Sequence, residues 1–268
     1  MAPEAAGAAD AVAAVEPGEV RVWRVAVAPG NAAAARAAAP VLLDRAERAR
    51  AAAFRREQDR QLYEVAHVGL RTVLAERLGR RPAELTFRQA PCPGCGEPHG
   101  RPEVDGPVEF SLSHAAGLAV IALAADPLGV DVEGHGAFER EAGEDVAGLL
   151  HPAERAELAA VEPERWAAAA LRCWVRKEAY LKGTGMGLGR GVGIDYVGVG
   201  PEFLPEGGKA AGVEPAGWEL HAVEVPEGYD AAVAVRVAER EAVQGAAVRA
   251  VPGVTGGVRL SVRDLVLG

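Results

Sequence analysis

The sequence predicts an α+β molecule built from two similar α/β halves. Three observations point there. Patterned segments run strand, helices, strands, and then strand, helices, strands again. Asp126-Pro127 supplies a turn where the first set ends. Hydrophobic residues make up 49% of a 268-residue chain, enough to bury a sizeable core. The expected division is a disordered leader over 1–18, an N-terminal subdomain over 19–126 and a C-terminal subdomain over 127–268. No residue-level repeat accompanies the two sets, so a pseudo-two-fold between them is a topological expectation.

Each element has its own reason. Residues 1–18 are low in complexity and apolar only through alanine; with no basic segment before them, they read as neither signal peptide nor membrane span. Arg21–Ala28 alternates and predicts the first strand. Over 31–80, Leu42, Leu43, Ala46, Ala49 and Ala53, then Leu62, Val65, Ala66, Val68, Gly69, Thr72, Val73 and Leu78, recur at helical spacing, and Gly79 suits a C-cap. A short strand over Leu85–Arg88 leads into a Gly- and Pro-dense loop, PCPGCGEPHGRP. Val108–Leu112 and Leu118–Ala124 predict paired strands around a turn at His114–Gly117, and Leu128–Glu133 predicts another strand. Residues 140–182 read as helix with a break near Glu162-Pro163. Strands are expected over Ile194–Val199, Trp218–Val225 and Tyr229–Val237, and a further one over Val258–Val262.

Charge and cysteine usage narrow the function classes. Net charge is −9, which argues against general binding to duplex nucleic acid while leaving room for a local basic pocket. Three cysteines, two of them in one short loop, suit a reducing compartment, and a cytoplasmic location is expected. The arginine run Arg48, Arg50, Arg55, Arg56, Arg60 and Arg71 reads on its own as a solvated helical face.

Four segments carry chemistry. In GVDVEGHG (129–136), alternation puts Asp131 and Glu133 on one strand face and Val130 and Val132 on the other. Two carboxylates so placed either repel as solvated acids or share a hard cation such as Mg²⁺. In LRCWVRKEAYLKGTGMGLG (171–189), Trp174, Glu178 and Lys182 lie at i, i+4 and i+8, so Glu178 can be a third acid or a base and Lys182 a phosphate partner; an ordinary surface ion pair is the bland alternative. The glycines that follow come after a helix and before a strand, the wrong order for a dinucleotide loop. In FSLSHAAG (110–117), Ser113 and His114 are adjacent on a strand and point to opposite faces, which disfavours a nucleophile–base pair and favours donation to phosphate oxygens. Arg101-Pro102 offers a rigidly held guanidinium. The preceding loop has C-x₂-C spacing with His99 nearby, but three ligands fall short of a closed zinc site, so an irregular surface loop is expected.

In order and spacing these segments (GRP, FSLSH, GVDVE, then WVRKEAYLKGTGMGL) resemble the 4′-phosphopantetheinyl transferases of the large, surfactin-synthetase-activating type, over roughly Arg45–Leu188. Departures are Ser111 where the family usually has asparagine, and Arg101 where lysine is frequent. The resemblance implies the pseudo-dimeric fold of that family, with coenzyme A as substrate and Mg²⁺ as cofactor between the halves. It implies apo acyl or peptidyl carrier proteins as partners, no nucleic acid or membrane, and a monomer. By motif position it implies Asp131, Glu133 and Glu178 as metal ligands. Glu178 and Lys182 would be catalytic, and Ser113, His114 and Lys182 would lie on the phosphates. Arg101 and Pro102, with Arg50 and Arg60, would lie toward the 3′-phosphate of coenzyme A. Asp131 would also contact the bound cofactor. A coenzyme A or carrier-binding module without transfer activity is the alternative reading. For carrier docking, His135–Phe138 and Met186–Leu188 are the expected surface.

Overall fold

The computed structural model describes residues 15–138, 140–204, 210–237 and 258–268; within these, the side chains of residues 137, 138, 140–142 and 188 lie outside the described set. Most of the predicted leader therefore falls outside the description, but Val15 is 5% exposed and packs into the first core, so the fold begins before residue 19.

The N-terminal half runs β1 (Glu19–Ala26), α1 (Pro29–Leu42), α2 (Arg45–Ala52), α3 (Glu57–Leu78), the small hairpin β2 (Phe87–Gln89) and β3 (Pro102–Val104), then β4 (Glu109–Ala115) and β5 (Leu118–Ala124). The C-terminal half runs β6 (Leu128–Gly134), α4 (Arg140–Leu149), α5 (Pro152–Ala159), α6 (Pro163–Thr184), β7 (Trp218–Ala222) and β8 (Tyr229–Arg236). A last strand, β9 (Arg259–Asp264), follows. One sheet has the order β4-β5-β1-β9 and another β6-β8-β7, with β2-β3 as a separate ribbon. β9 pairs parallel to β1, so the C-terminal residues cross back into the sheet of the first half instead of staying with 127–268. An edge position beside β1 was open to it, and pairing there satisfies backbone groups that would otherwise face solvent.

The two sheets face each other. In β5, LAVIALA, every residue is buried. Leu118, Val120, Ala122 and Ala124 pack with Val130, Val132, Ala231 and Val233 of the other sheet, while Ala119, Ile121 and Leu123 pack under the helices of the first half. A strand covered on both faces has no need to alternate in polarity. On the far side of the second sheet, Leu171, Val175 and Ala179 of α6 cover Ala232 and Ala234. The result is four layers: helices, sheet, sheet, helices.

Local signals set the element ends. Asp44 and Glu47 form a capping box at the start of α2. The two 22-residue helices, α3 and α6, each end on a left-handed glycine, Gly79 (φ 62°) and Gly185 (φ 73°). The β4–β5 turn is only Ala116-Gly117, so His114 sits on the strand and not in the turn.

The strand expected at Ile194–Val199 does not form. Its apolar Val197 and Val199 are fully buried, but its amides are taken by side chains. Glu154 accepts from Val197 N at 2.7 Å and Gly198 N at 3.3 Å, and Glu157 accepts from Val199 N at 3.2 Å. Arg176 donates to the Val197 carbonyl at 2.9 Å. Buried backbone groups need partners of some kind, and here α5 and α6 supply them in place of a neighbouring strand.

Candidate active site

The functional residues meet where β4, an edge of the first sheet, runs beside β6, an edge of the second. The two strands share no backbone ladder. Serines bridge them instead: Val130 N donates to Ser111 Oγ at 3.0 Å, and Ser113 Oγ donates to Asp131 Oδ1 at 2.8 Å. Serine at 111 is thus short enough to cap a backbone amide across the seam.

Glycine sets how closely α6 approaches β6. A Cβ on Gly129 would lie 2.1 Å from the Ala179 carbonyl and 2.3 Å from Gly183 N. That contact brings the last turns of α6 over the seam. Lys182 Nζ reaches Asp131 Oδ1 at 2.5 Å and Ser113 Oγ at 3.0 Å. One and two turns earlier on the same face are Glu178 and Trp174. All of them border one cleft of about 920 Å³, which is the size of a pocket for a small organic ligand. Ser113, His114, Asp131, Glu133, Arg101 and Pro102 line it as well.

Three acids in one partly buried place strain one another. Burial, outweighing the pull of Lys182 and Ser113, raises the Asp131 carboxyl above its ordinary range. Burial, and then Asp131 beside it, pushes Glu133 up to about 7. The same two causes raise Glu178. Asp131 Oδ2 is buried with no hydrogen-bond partner. An orphaned carboxylate oxygen flanked by two further acids is the donor set of a hard divalent cation. Their oxygens do not all close to within 4.8 Å of one another, and Lys182 sits against Asp131 instead.

The basic side of the cleft is built by the first half. Arg101 Nη1 donates to the Gly183 carbonyl at 2.9 Å, and its Nη2 lies 3.4 Å from Glu109; its Nε is buried with no partner. Burial, then the neighbouring His67, lowers the pKa of His114 and so favours the neutral ring. The Ser113 hydroxyl is held by Asp131 and Lys182, an arrangement that leaves no nucleophile–base pair with His114.

Arg50 and Arg60 are not brought to this cleft. The Arg50 guanidinium lies 5.3 Å from the Phe54 ring centroid, and Arg60 pairs with Glu57 and, at 3.9 Å, with Glu64. What α2 and α3 contribute instead is Asp44, Ala46, Glu47 and His67. His67 stacks on Tyr63 (centroids 3.9 Å apart) and its Nδ1 lies 3.1 Å from Glu47. The helical spacing of the sequence placed these residues on helices but carried no signal that their face borders a site. Of the expected docking surface, the side chains of Phe138 and Leu188 lie outside the described residues.

Comparison with known proteins bears on this geometry. Residues 127–234 match the model of the 4′-phosphopantetheinyl transferase superfamily. That span begins just before β6, contains α6 and ends inside β8, so it holds all three acids and Lys182. The chain is also 30% identical over 161 residues to a protein of Synechocystis sp. provisionally named a 4′-phosphopantetheinyl transferase; the aligned part is 56% of this chain and 60% of that relative. The chain thus spans less than two thirds of the length of the curated relative it matches. Among the described residues, no helix is long and apolar enough to cross a membrane.

Proposed function

We propose that this chain transfers the 4′-phosphopantetheine arm of coenzyme A to a serine of an apo acyl or peptidyl carrier protein and releases adenosine 3′,5′-bisphosphate. The observation that carries the reading is the seam itself. Three acids and Lys182 from β6 and α6, all within the segment similar to the transferase superfamily, line with Ser113 and Arg101 a cleft large enough for a nucleotide-bearing ligand. The finer reading is a Mg²⁺-dependent enzyme of the large, surfactin-synthetase-activating type, acting as a monomer in the cytoplasm. Its support is internal. In the first half β1 precedes the helices, and the hairpin β4–β5 returns to give the order β4-β5-β1; in the second, β6 precedes the helices, and β7–β8 returns to give β7-β8-β6. Shared connectivity is what a pseudo-two-fold pair would display.

In this reading Asp131, Glu133 and Glu178 hold Mg²⁺, which when bound neutralises phosphate charge and polarises the transferred phosphoryl group. The carrier serine attacks the phosphorus that bears pantetheine. Its Oγ–P bond forms as the bond from that phosphorus to the bridging oxygen breaks, and adenosine bisphosphate leaves with the electron pair. Glu178 accepts the serine proton as general base. Lys182 Nζ, already aimed at the seam, donates to the charged oxygens, and Arg101 holds the adenosine-side phosphate. Neutral His114 donates one ring N–H to a phosphate oxygen without adding charge.

Incubation with coenzyme A, Mg²⁺ and an apo-carrier protein tests the reading by intact-carrier mass. A mass gain equal to one phosphopantetheine arm, absent when Mg²⁺ is chelated, is expected. An unchanged carrier with tight coenzyme A binding would instead make the chain a binding module. Glu178→Gln is expected to lower turnover more than coenzyme A affinity; equal losses in metal-free binding and rate would make Glu178 structural.

A further inference from the structure

The loop at the tip of the β2–β3 hairpin is not absorbed by the transfer site. Residues 91–99 bury one side chain, Cys92 at 6% exposure, so the loop has almost no apolar packing to hold its shape. Its backbone is nonetheless tightly organised. Cys92 N donates to the Glu97 carbonyl at 2.7 Å, and Gly96 N returns to the Cys92 carbonyl at 2.8 Å. At the loop's base, Ala90 and Arg101 pair through Ala90 N to Arg101 O at 2.9 Å, and Gly100 N donates to Ala90 O at 2.8 Å. This fold gathers Cys92 Sγ, Cys95 Sγ and a His99 ring nitrogen within 4.8 Å of one another, with Cys95 Sγ only 3.0 Å from His99 Nε2.

Counting ligands in the sequence disfavoured a metal here, because a closed structural site needs four. The geometry changes the balance. Zinc with two thiolates and one imidazole, and a fourth position left to water or an added donor, is an established coordination type. At tetrahedral zinc with Zn–S of about 2.3 Å, two sulfurs sit about 3.8 Å apart, so the observed grouping needs little closure. Sulfur and imidazole select a thiophilic cation over Mg²⁺.

We propose that Cys92, Cys95 and His99 form a site for one thiophilic divalent cation, zinc by its donor chemistry, which clasps the hairpin that presents Arg101 to the cleft. Arg101 follows the last ligand by two residues, and the loop packs on the glycine turn after α6: a Cβ on Gly94 would lie 3.1 Å from Met186 Cε, and one on Gly185 3.1 Å from Arg101 Cγ. Fixing the loop therefore fixes one wall of the cleft. The site is separate in chemistry from the three acids, so it stands or falls independently of the transfer reaction.

The test uses the full chain, reduced and stripped of metal with a chelator, and titrated with Co²⁺. Expected are one equivalent bound with sulfur-to-cobalt charge-transfer and tetrahedral ligand-field bands, displacement by Zn²⁺, and no competition from excess Mg²⁺. Cys95→Ser and His99→Ala should lose these bands with circular dichroism unchanged, and Asp131→Asn should keep them. Cobalt held only at the acids would show no sulfur charge transfer and would overturn the site, as would bands that persist in the Cys92→Ser/Cys95→Ser double variant. Zinc should also slow protease cleavage within 90–101; cleavage at an equal rate with and without zinc would overturn the clasp.

Discussion

The two halves use the same chain path and put it to opposite chemical use. Each has a leading strand, a group of helices closing on a 22-residue helix, and a returning hairpin. Each long helix buries a cation. On α3, Arg71 is fully buried and donates to Glu47 Oε2 at 2.8 Å and to the Pro82 and Leu85 carbonyls. On α6, Lys177 is fully buried and pairs with the equally buried Glu154 at 2.7 Å. In both cases the charge braces irregular chain that no strand supports. The halves part company at the seam. β4 brings hydroxyls and an imidazole, while β6 brings acids, and only α6 lies close enough to add Glu178 and Lys182. One site results because α6 is drawn onto β6 at Gly129, whereas Gly69 of α3 meets side chains at ordinary contact distance.

Four measurements bear on the contrast between the halves. The largest concerns the buried cations. Lys177→Met leaves the fully buried Glu154 with backbone amides but no cation and should cost about 3–5 kcal/mol. Arg71→Met should cost less, because Glu47 is 8% exposed where Glu154 is fully buried, so its charge keeps some access to solvent. Urea unfolding of both variants checks the ranking, and a reversed order would mean the first half depends more on its buried charge.

Next is the seam. Asp131→Ala removes an acid from the centre of the cleft and should lower phosphopantetheine transfer by more than ~100-fold, or about 2.7 kcal/mol in barrier. Full activity at ordinary Mg²⁺ would sink the assignment of the metal to this strand.

The glycine contacts separate the halves directly. Gly129→Ala drives a methyl into backbone atoms of α6 and should cost about 1–3 kcal/mol, together with activity, as the helix is pushed off β6. In the first half, a Cβ on Gly69 meets side chains no nearer than 3.4 Å. Gly69→Ala should stay within about 1 kcal/mol of the parent, since the gain in helix propensity offsets slight crowding. Melting temperatures decide, and equal losses would mean that both helices sit at their closest approach.

The smallest effect is on pH. Burial pushes the Glu47 carboxyl up, but hydrogen bonds from His67, Arg71 and the Asp44 amide outweigh it and hold the pKa at about 2 against an ordinary 4.5. A depressed folded pKa stabilises above 4.5 and loses that contribution as pH falls toward 2. Glu47→Gln should therefore flatten the acid limb of the stability curve in that window. An unchanged limb would place the acid sensitivity in the second half.

Much of the candidate site was legible before the structure. GVDVE alternates, so Asp131 and Glu133 had to share a face once a strand formed there. WVRKEAYLK repeats at four, so Trp174, Glu178 and Lys182 had to share a helix face. Local geometry alone decides both, because a strand and a helix each have a fixed side-chain period. That Arg50 and Arg60 do not line the cleft has the complementary reason. Period says which residues share a face, but not which face meets the cleft; that depended on how α2 and α3 pack on the first sheet.

Features within the reach of one element could be read from the chain: strand and helix periods, the glycine end of α3 and the shared faces of the acids. The rest came from tertiary packing. It paired β9 with β1 across the chain, replaced the expected strand at Ile194–Val199 by a segment hydrogen-bonded to Glu154, Glu157 and Arg176, and brought β4 beside β6 so that Ser113, Asp131 and Lys182 meet. It also folded Cys92, Cys95 and His99 onto one point. These are contacts between residues far apart in sequence or held by an irregular loop. No period encodes them; they follow from which backbone groups remain unpaired once the sheets have packed, and from where glycine lets two backbones touch.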